Sequence, residues 1–125
     1  MFIGELEKRS GVSARAIRLY ESLGLLNVKR QGRYRIFSAE HLEFVQLIKQ
    51  AQRLGVSLAE LQSLSAGEND LNWAALNDLL VVKRRELQRQ QRLLAQQLEQ
   101  IDHYQQIIAD CVAQGRGAGI DRCID

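Results

Sequence analysis

The sequence of 125 residues has no proline, two cysteines, one tryptophan and no long apolar run. No stretch approaches the roughly 18 apolar residues that cross a bilayer, so we expect no membrane partner. The N-terminus lacks the layout of a signal peptide, and so few cysteines favour a reducing compartment, in which a structural disulfide is not expected. These absences predict a cytoplasmic protein.

Residues typical of catalytic sites are also scarce. The two histidines, His41 and His103, fall in different predicted helices, and no set of nucleophile, base and orienting group is present. The glycine-rich stretch at 114–119 follows a predicted helix and lacks Gly-Lys-Ser/Thr, so it does not predict a phosphate-binding loop. The sequence therefore favours a protein that is not an enzyme.

The net charge of +2 conceals an asymmetry along the chain. Residues 1–37 hold eight Lys or Arg against three Asp or Glu, whereas residues 66–125 hold seven against nine. Positive charge concentrated at one end predicts a polyanionic partner there. The alternative is a solvated basic face with no partner.

Glycines and capping residues divide the first 65 residues into short elements. Two helices, at about 3–10 and 14–23, are separated by Gly11 and capped by Ser13, the arrangement of a helix-turn-helix. Apolar residues then flank Lys29-Arg30-Gln31-Gly32, which predicts a small β-hairpin, or wing, with a basic tip.

Two further helices complete this part of the chain. Ser38 begins a helix that Gly55 ends, and Ser57 with Glu60 forms a capping box for the next one.

Arg15 and Arg18 share one face of the second helix, where guanidinium groups can reach base edges and phosphates in a DNA major groove. The wing adds four cations that can lie along the phosphate backbone. Protection of an exposed strand edge is the alternative explanation of these four. The candidate DNA-binding residues are Ser13, Arg15, Arg18, Tyr20, Lys29, Arg30, Arg33, Tyr34 and Arg35.

Residues 72 to about 112 contain neither Gly nor Pro, and apolar residues recur in them every seven positions. This heptad pattern predicts a coiled-coil helix of about 60 Å, at 1.5 Å per residue. The first 65 residues are too few to cover its stripe, so we expect a second copy to do so; an intramolecular helical hairpin is the alternative. The candidate dimerisation residues are Leu80, Leu87, Leu94, Leu98, Ile101 and Ile108.

Several ordered motifs resemble the N-terminal signature of MerR-family transcription regulators. They are Ile3-Gly4-Glu5-Leu6, Ser10-Gly11-Val12-Ser13, Arg15-x-Ile17-Arg18-x-Tyr20-Glu21, Gly24-Leu25, Tyr34-Arg35, Phe37-Ser38 and the stretch from Leu54 to Leu61. The resemblance is dense over residues 1–65, and the long helix follows in the order typical of the family.

The resemblance implies a mainly α fold, in which a winged helix-turn-helix head with a small β-hairpin precedes one long antiparallel coiled-coil helix. We expect a DNA-binding domain at 1–67, a dimerisation helix at 68–113 and a C-terminal effector tail at 114–125. It also implies a homodimer that binds a palindromic operator in promoter DNA, distorts the DNA and acts with RNA polymerase. An architectural DNA-binding protein, or a regulator that senses no effector, is the alternative.

The class of effector depends on the two cysteines. Cys111 and Cys123 are the only thiols, and two thiolates can bind a soft ion such as Cu(I). Cys111 also falls on the heptad stripe, where a cysteine packs as a small apolar residue. Packing, thiol-based sensing of oxidants and metal binding all remain open for it.

Overall fold

The structure is a computed structural model, and it describes residues 1–115. The regular elements of this part of the chain are five helices and one hairpin. They are α1 (Ile3–Ser10), α2 (Ala14–Ser22), β1 (Lys29–Gln31), β2 (Tyr34–Ile36), α3 (Ala39–Arg53), α4 (Leu58–Ser63) and α5 (Trp73–Ala113). The predicted mainly α fold, with a winged helix-turn-helix and one long C-terminal helix, is confirmed.

The chain divides into two compact units, of which the first, here called the head unit, is Met1–Val81. One apolar core holds the head unit together, and it draws residues from every helix of the unit and from the residue after the wing. Its members include Leu6, Ile17, Tyr20, Leu26, Phe37, Val45, Ile48, Leu61, Leu71 and Leu76. The early turns of α5 therefore belong to the same core as the helix-turn-helix.

The ends of α1 and α2 follow from their capping residues. Gly11 ends α1 with a φ of +72°, a left-handed conformation that glycine adopts without steric cost. Ser13 begins α2, and its hydroxyl oxygen accepts a hydrogen bond from the backbone N–H of Ala16 at 3.1 Å. Both predicted helices are present with these boundaries.

The wing is tighter than predicted. In its register, Lys29 lies opposite Ile36, Arg30 opposite Arg35 and Gln31 opposite Tyr34, so only Gly32 and Arg33 form the turn. A positive φ at the first residue of a two-residue loop closes a hairpin, and Gly32 has a φ of +63°. The predicted tip is therefore wrong, because Lys29-Arg30-Gln31 forms a strand.

Two capping boxes begin α3 and α4. Ser57 and Glu60 cap α4 reciprocally, as predicted. At α3 the residue paired with Ser38 is His41, whose Nδ1 accepts from the Ser38 backbone N–H at 2.9 Å. The other ring nitrogen, Nε2, lies 2.8 Å from the carbonyl oxygen of Asn27, so His41 also links α3 to the chain entering the wing.

The segment between α4 and α5 also contacts Asn27. Asn69 accepts a hydrogen bond from the Asn27 N–H at 2.8 Å and donates one to the Asn27 carbonyl at 3.2 Å. Asn69 has a φ of +51°, a conformation that asparagine tolerates better than most residues. The segment before α5 therefore binds the chain at the entry to the wing.

The second unit begins at Val82. Its described part consists of the remainder of α5, on which large apolar side chains are exposed at helical spacing. They include Leu87, Leu94, Leu98, Ile101, Tyr104 and Ile108. Cys111, in contrast, is buried.

Within residues 1–115, no helix combines the length and the apolar character needed to span a membrane.

Candidate nucleic-acid interface

Arg15 and Arg18 are exposed on α2, as the helical spacing predicted. With Ser13, Leu19, Ser22 and Arg35 they line a groove of about 700 Å³. Among residues 1–115, no carboxylate lies within ion-pair distance of Arg15 or Arg18. Their guanidinium groups are therefore available to an anionic ligand.

Ser13 combines a structural and a potential binding role. Its hydroxyl oxygen accepts from the Ala16 N–H, which completes the cap of α2. A serine hydroxyl that accepts one hydrogen bond still has its own O–H to donate. The cap therefore leaves Ser13 able to bind a phosphate oxygen at the N-terminus of α2.

The wing cations fall into two groups that the sequence did not distinguish. Glu21 of α2 forms ion pairs with two of them: Arg30 Nη2 lies 3.0 Å from its Oε1, and Arg35 Nε lies 2.6 Å from its Oε2. Lys29 and Arg33 are exposed and have no ion-pair partner within residues 1–115. The wing is thus tied to α2 by one carboxylate.

Glu21 was missed as a site residue, although the sequence held a signal for it. It is the only acidic residue between positions 8 and 39, in the most basic part of the chain. Its pairing could not be deduced from spacing, because Arg30 and Arg35 approach it only when the hairpin packs beside α2.

Tyr20 does not lie on the exposed face of α2. Its side chain is 1% exposed, and its hydroxyl donates to Gln52 Oε1 of α3 at 2.8 Å. Burial also raises the pKa of Tyr20 above its ordinary value. The structure corrects its assignment to the DNA-binding set, since the ring packs inward and is satisfied by α3.

Tyr34 is exposed, in contact with a second aromatic residue. The rings of Tyr34 and Phe2 lie 5.7 Å apart between centroids and are tilted by 57°. Because side chains alternate along a strand, Tyr34 lies on the face of the hairpin opposite Arg35. The wing therefore presents one face to Glu21 and another to the N-terminal residues.

The apolar stripe of α5 carries most of the predicted dimerisation residues in exposed positions. Leu87, Leu94, Leu98 and Ile101 are each more than half exposed, and Ile108 is 36% exposed. Leu80 differs, because it is partly buried against the core of the head unit. Part of the apolar surface of Leu80 is therefore buried within the head unit.

Cys111 is buried, and its sulfur is disulfide-bonded, so the expectation that no disulfide forms is wrong for it. That expectation rested on the redox compartment, which does not determine which sulfurs a fold brings together. Cys123 lies outside the described residues. Within residues 1–115 no group of three or more His, Cys, Asp or Glu side chains could hold a metal ion.

Comparison with known proteins identifies the family to which these features belong. The sequence model described as "MerR HTH family regulatory protein" matches residues 1–68, and that described as "MerR, DNA binding" matches residues 42–104. A solved structure of a MerR family transcriptional regulator from Listeria monocytogenes superposes with a TM-score of 0.58 at 25% identity, covering 98% of both chains.

Curated relatives agree with this identification. The HTH-type transcriptional regulator HmrR of Rhizobium leguminosarum bv. viciae is 31% identical over 106 residues, which cover 82% of each chain. The HTH-type transcriptional regulator CueR of Yersinia pestis is 35% identical over 68 residues, or 53% of this chain and 49% of that protein. The heavy metal-dependent transcription regulator 2 of Rhizobium meliloti (strain 1021) is 29% identical over 94 residues, or 68% and 64%.

The first family model covers more than half of the chain, and these relatives are regulators of transcription and not enzymes. The chain therefore belongs to the MerR family of DNA-binding transcription regulators.

Proposed function

We propose that the protein binds a palindromic promoter operator as a homodimer and controls transcription there in response to an effector. The observation that carries this proposal is the exposed groove around Arg15 and Arg18, which has no carboxylate partner within residues 1–115. The site of action is the cytoplasm, where promoter DNA and RNA polymerase are found.

The DNA contacts follow from the chemistry of the groove. The helix α2 enters the major groove, where Arg15 and Arg18 donate paired hydrogen bonds to guanine or to phosphate. Ser13 donates to a phosphate oxygen at the N-terminus of α2. Along the adjoining backbone lie the wing residues Lys29, Arg30, Arg33, Tyr34 and Arg35.

The homodimer is supported by the exposed stripe on α5. A contiguous set of apolar side chains costs free energy in water and marks an interaction surface. Its seven-residue period is what two helices need to pack along a common seam, and the family resemblance favours an antiparallel pair. Residues 68–113 would thus be the dimerisation segment, and residues 1–67 the DNA-binding domain.

Control of transcription would come from deformation of the DNA. Two heads at a set separation bind both halves of an operator only if the intervening DNA adopts a matching bend and twist. The phosphate contacts offset the free energy of this deformation. An effector that shifts the separation between the heads would then alter the promoter geometry that RNA polymerase meets.

A soft metal ion or a thiol oxidant is the proposed class of effector. The relative from Rhizobium meliloti is described as heavy metal-dependent. The disulfide-bonded sulfur of Cys111 provides no thiolate ligand, so the residues fit a metal only after reduction. Reduced Cys111 and Cys123 could then supply the two thiolates that suffice for Cu(I).

The burial and the disulfide of Cys111 also favour a second candidate function. If the disulfide only stabilises the end of α5, the protein acts without sensing, as an effector-independent regulator or an architectural DNA-binding protein.

DNA binding is tested with Arg15→Ala and Arg18→Ala, using an operator that the wild-type protein selects from random duplexes. Each substitution should weaken operator binding by about 1–3 kcal/mol, with relaxed preference at one base position, if the side chain reads bases. Arg92→Ala, on α5, removes the same charge and should leave affinity unchanged. Wild-type protein that ignores duplex DNA at low salt would refute the function.

The effector is tested by transcription in vitro from a promoter that contains this operator. Wild type, Cys111→Ser and Cys123→Ser are compared with Cu(I), Ag(I) or an oxidant, each added to prereduced protein. A response that both substitutions abolish supports thiol-linked sensing. A response unchanged in both excludes it, and no response in the wild type favours the effector-independent alternative.

A further inference from the structure

The carboxylate of Glu21 joins α2 to both strands of the wing. One oxygen pairs with Arg30 of β1 and the other with Arg35 of β2, at 3.0 and 2.6 Å. The side chains of Glu21 and Arg35 are only 21% and 26% exposed, and that of Arg30 is 47% exposed. Partial burial reduces screening by solvent, so the Arg35 pair is the more constrained of the two.

Both arginines keep hydrogen-bond donors for another ligand. Arg35 uses its Nε and Arg30 uses one terminal nitrogen, whereas a guanidinium group has five N–H donors. Arg35 also lines the groove that contains Arg15 and Arg18. The Glu21 carboxylate therefore lies beside the cations that are expected to meet DNA, and it restrains two of them.

We propose that Glu21 is a positioning residue that raises the specificity of DNA binding, an inference that rests on the proposed DNA-binding function. It holds Arg30 and Arg35 in one arrangement, which lowers the conformational entropy lost when they meet the operator. Its negative charge also weakens the attraction of both cations to phosphates of any sequence. Both effects favour the operator over other DNA.

Glu21→Gln tests this proposal, because it keeps the shape and one acceptor oxygen but removes the charge. Affinity for a scrambled duplex should rise at low salt, and its dependence on salt should steepen by one to two phosphate equivalents. Each equivalent corresponds to an additional loss of about 3.5-fold in affinity between 50 and 200 mM salt. The ratio of operator to scrambled affinity should fall roughly tenfold.

Glu43→Gln is the matched control. Glu43 is exposed on α3 and has no ion pair within residues 1–115, so the substitution changes the net charge equally without releasing an arginine. Its salt dependence should equal that of the wild type. A change of the same size in both variants would overturn the proposal, because net charge alone would then explain it.

The triple variant Glu21→Gln/Arg30→Gln/Arg35→Gln tests whether the effect of Glu21→Gln on salt dependence requires the two arginines. Compared with Arg30→Gln/Arg35→Gln, it should show no steeper salt dependence. A salt dependence of Glu21→Gln that is unchanged or shallower than that of the wild type overturns the proposal. If Glu21→Gln does not fold, the double variant Arg30→Gln/Arg35→Gln tests the proposal instead. An operator preference equal to that of the wild type would then show that positioning of the two arginines does not contribute to specificity.

Failure of the proposed function gives a different result. In that case the wild-type protein would bind neither duplex, and no variant comparison would arise.

Discussion

Single side chains on α2 divide into those that hold the head unit together and those left for a ligand. Ile17 and Tyr20 are buried in the core, whereas Arg15 and Arg18 are exposed, and the helical period of 3.6 residues accounts for this division. From the sequence, Tyr20 is predicted to belong to the DNA-binding set because it follows Arg15 and Arg18. Its burial and its hydrogen bond to Gln52 indicate instead that it packs α2 against α3.

Tyr20→Phe tests this structural role. The substitution removes the hydroxyl and leaves the Gln52 acceptor without this donor, so the free energy of unfolding should fall by about 1 kcal/mol in urea titrations. Operator affinity, measured well below the melting temperature, should remain within about twofold of the wild type. Lost affinity with unchanged stability would return Tyr20 to the interface. Tyr34→Phe, which removes an exposed hydroxyl, is the control for the stability measurement.

The same residue predicts a dependence of stability on pH. Burial raises the pKa of Tyr20 above its ordinary value of 10.0, so the folded state keeps its proton to higher pH than the unfolded state. As the pH rises above 10.0, the unfolded state loses this proton first, and the free energy of unfolding therefore decreases. Denaturant titrations should show a shallower decrease for Tyr20→Phe; equal slopes would contradict this.

At the scale of elements, local signals predicted where most helices begin and end, because caps involve residues only three or four positions apart. Ser13 and Ser57 are examples, and both cap their helices as the sequence indicated. The link between Asn69 and Asn27 spans 42 residues, so no local pattern signals it. The contact of Glu21 with the wing was missed for the same reason.

Asn69→Gly tests the link between the segment before α5 and the wing. Glycine accepts the φ of +51°, so the substitution removes both hydrogen bonds to Asn27 without adding backbone strain. The free energy of unfolding should fall by about 1–2 kcal/mol.

Asn69→Asp is the matched control for this prediction, because it keeps the acceptor of the shorter bond and should be less destabilising. Hydrogen exchange should show faster opening at Asn27 in Asn69→Gly. Unchanged exchange there would contradict a structural link.

At the scale of the whole molecule, the unpaired surface of α5 is the dominant feature. Leu94 is 60% exposed and lies in a stripe of similar residues, a surface that one chain leaves open to water. The proposed dimer would bury it. In the proposed function the wing and the stripe have different roles, since the wing would contact DNA and the stripe would set how many heads bind together.

Leu94→Glu tests the dimer by placing a charge in the proposed seam. Burial of an unpaired carboxylate is costly, so the dimer dissociation constant should rise at least about 100-fold in sedimentation experiments. Operator binding should weaken with it, while the melting of the head unit is unchanged. Gln96→Glu adds the same charge on the opposite face of α5 and should remain dimeric. A wild-type monomer at high concentration would refute the dimer.

The sequence by itself determined the family, the helices, the hairpin and the exposed arginines of α2. These features depend on helical and heptad periods, on caps and on charge, all of which operate between near neighbours in the chain. Only the tertiary structure decided that the Tyr20 hydroxyl binds Gln52, that Glu21 restrains two of the wing arginines, and that Asn69 binds the entry to the wing. Each of these depends on which distant elements pack together, because a hydrogen bond or an ion pair forms only within a few ångströms and sequence separation does not measure that distance.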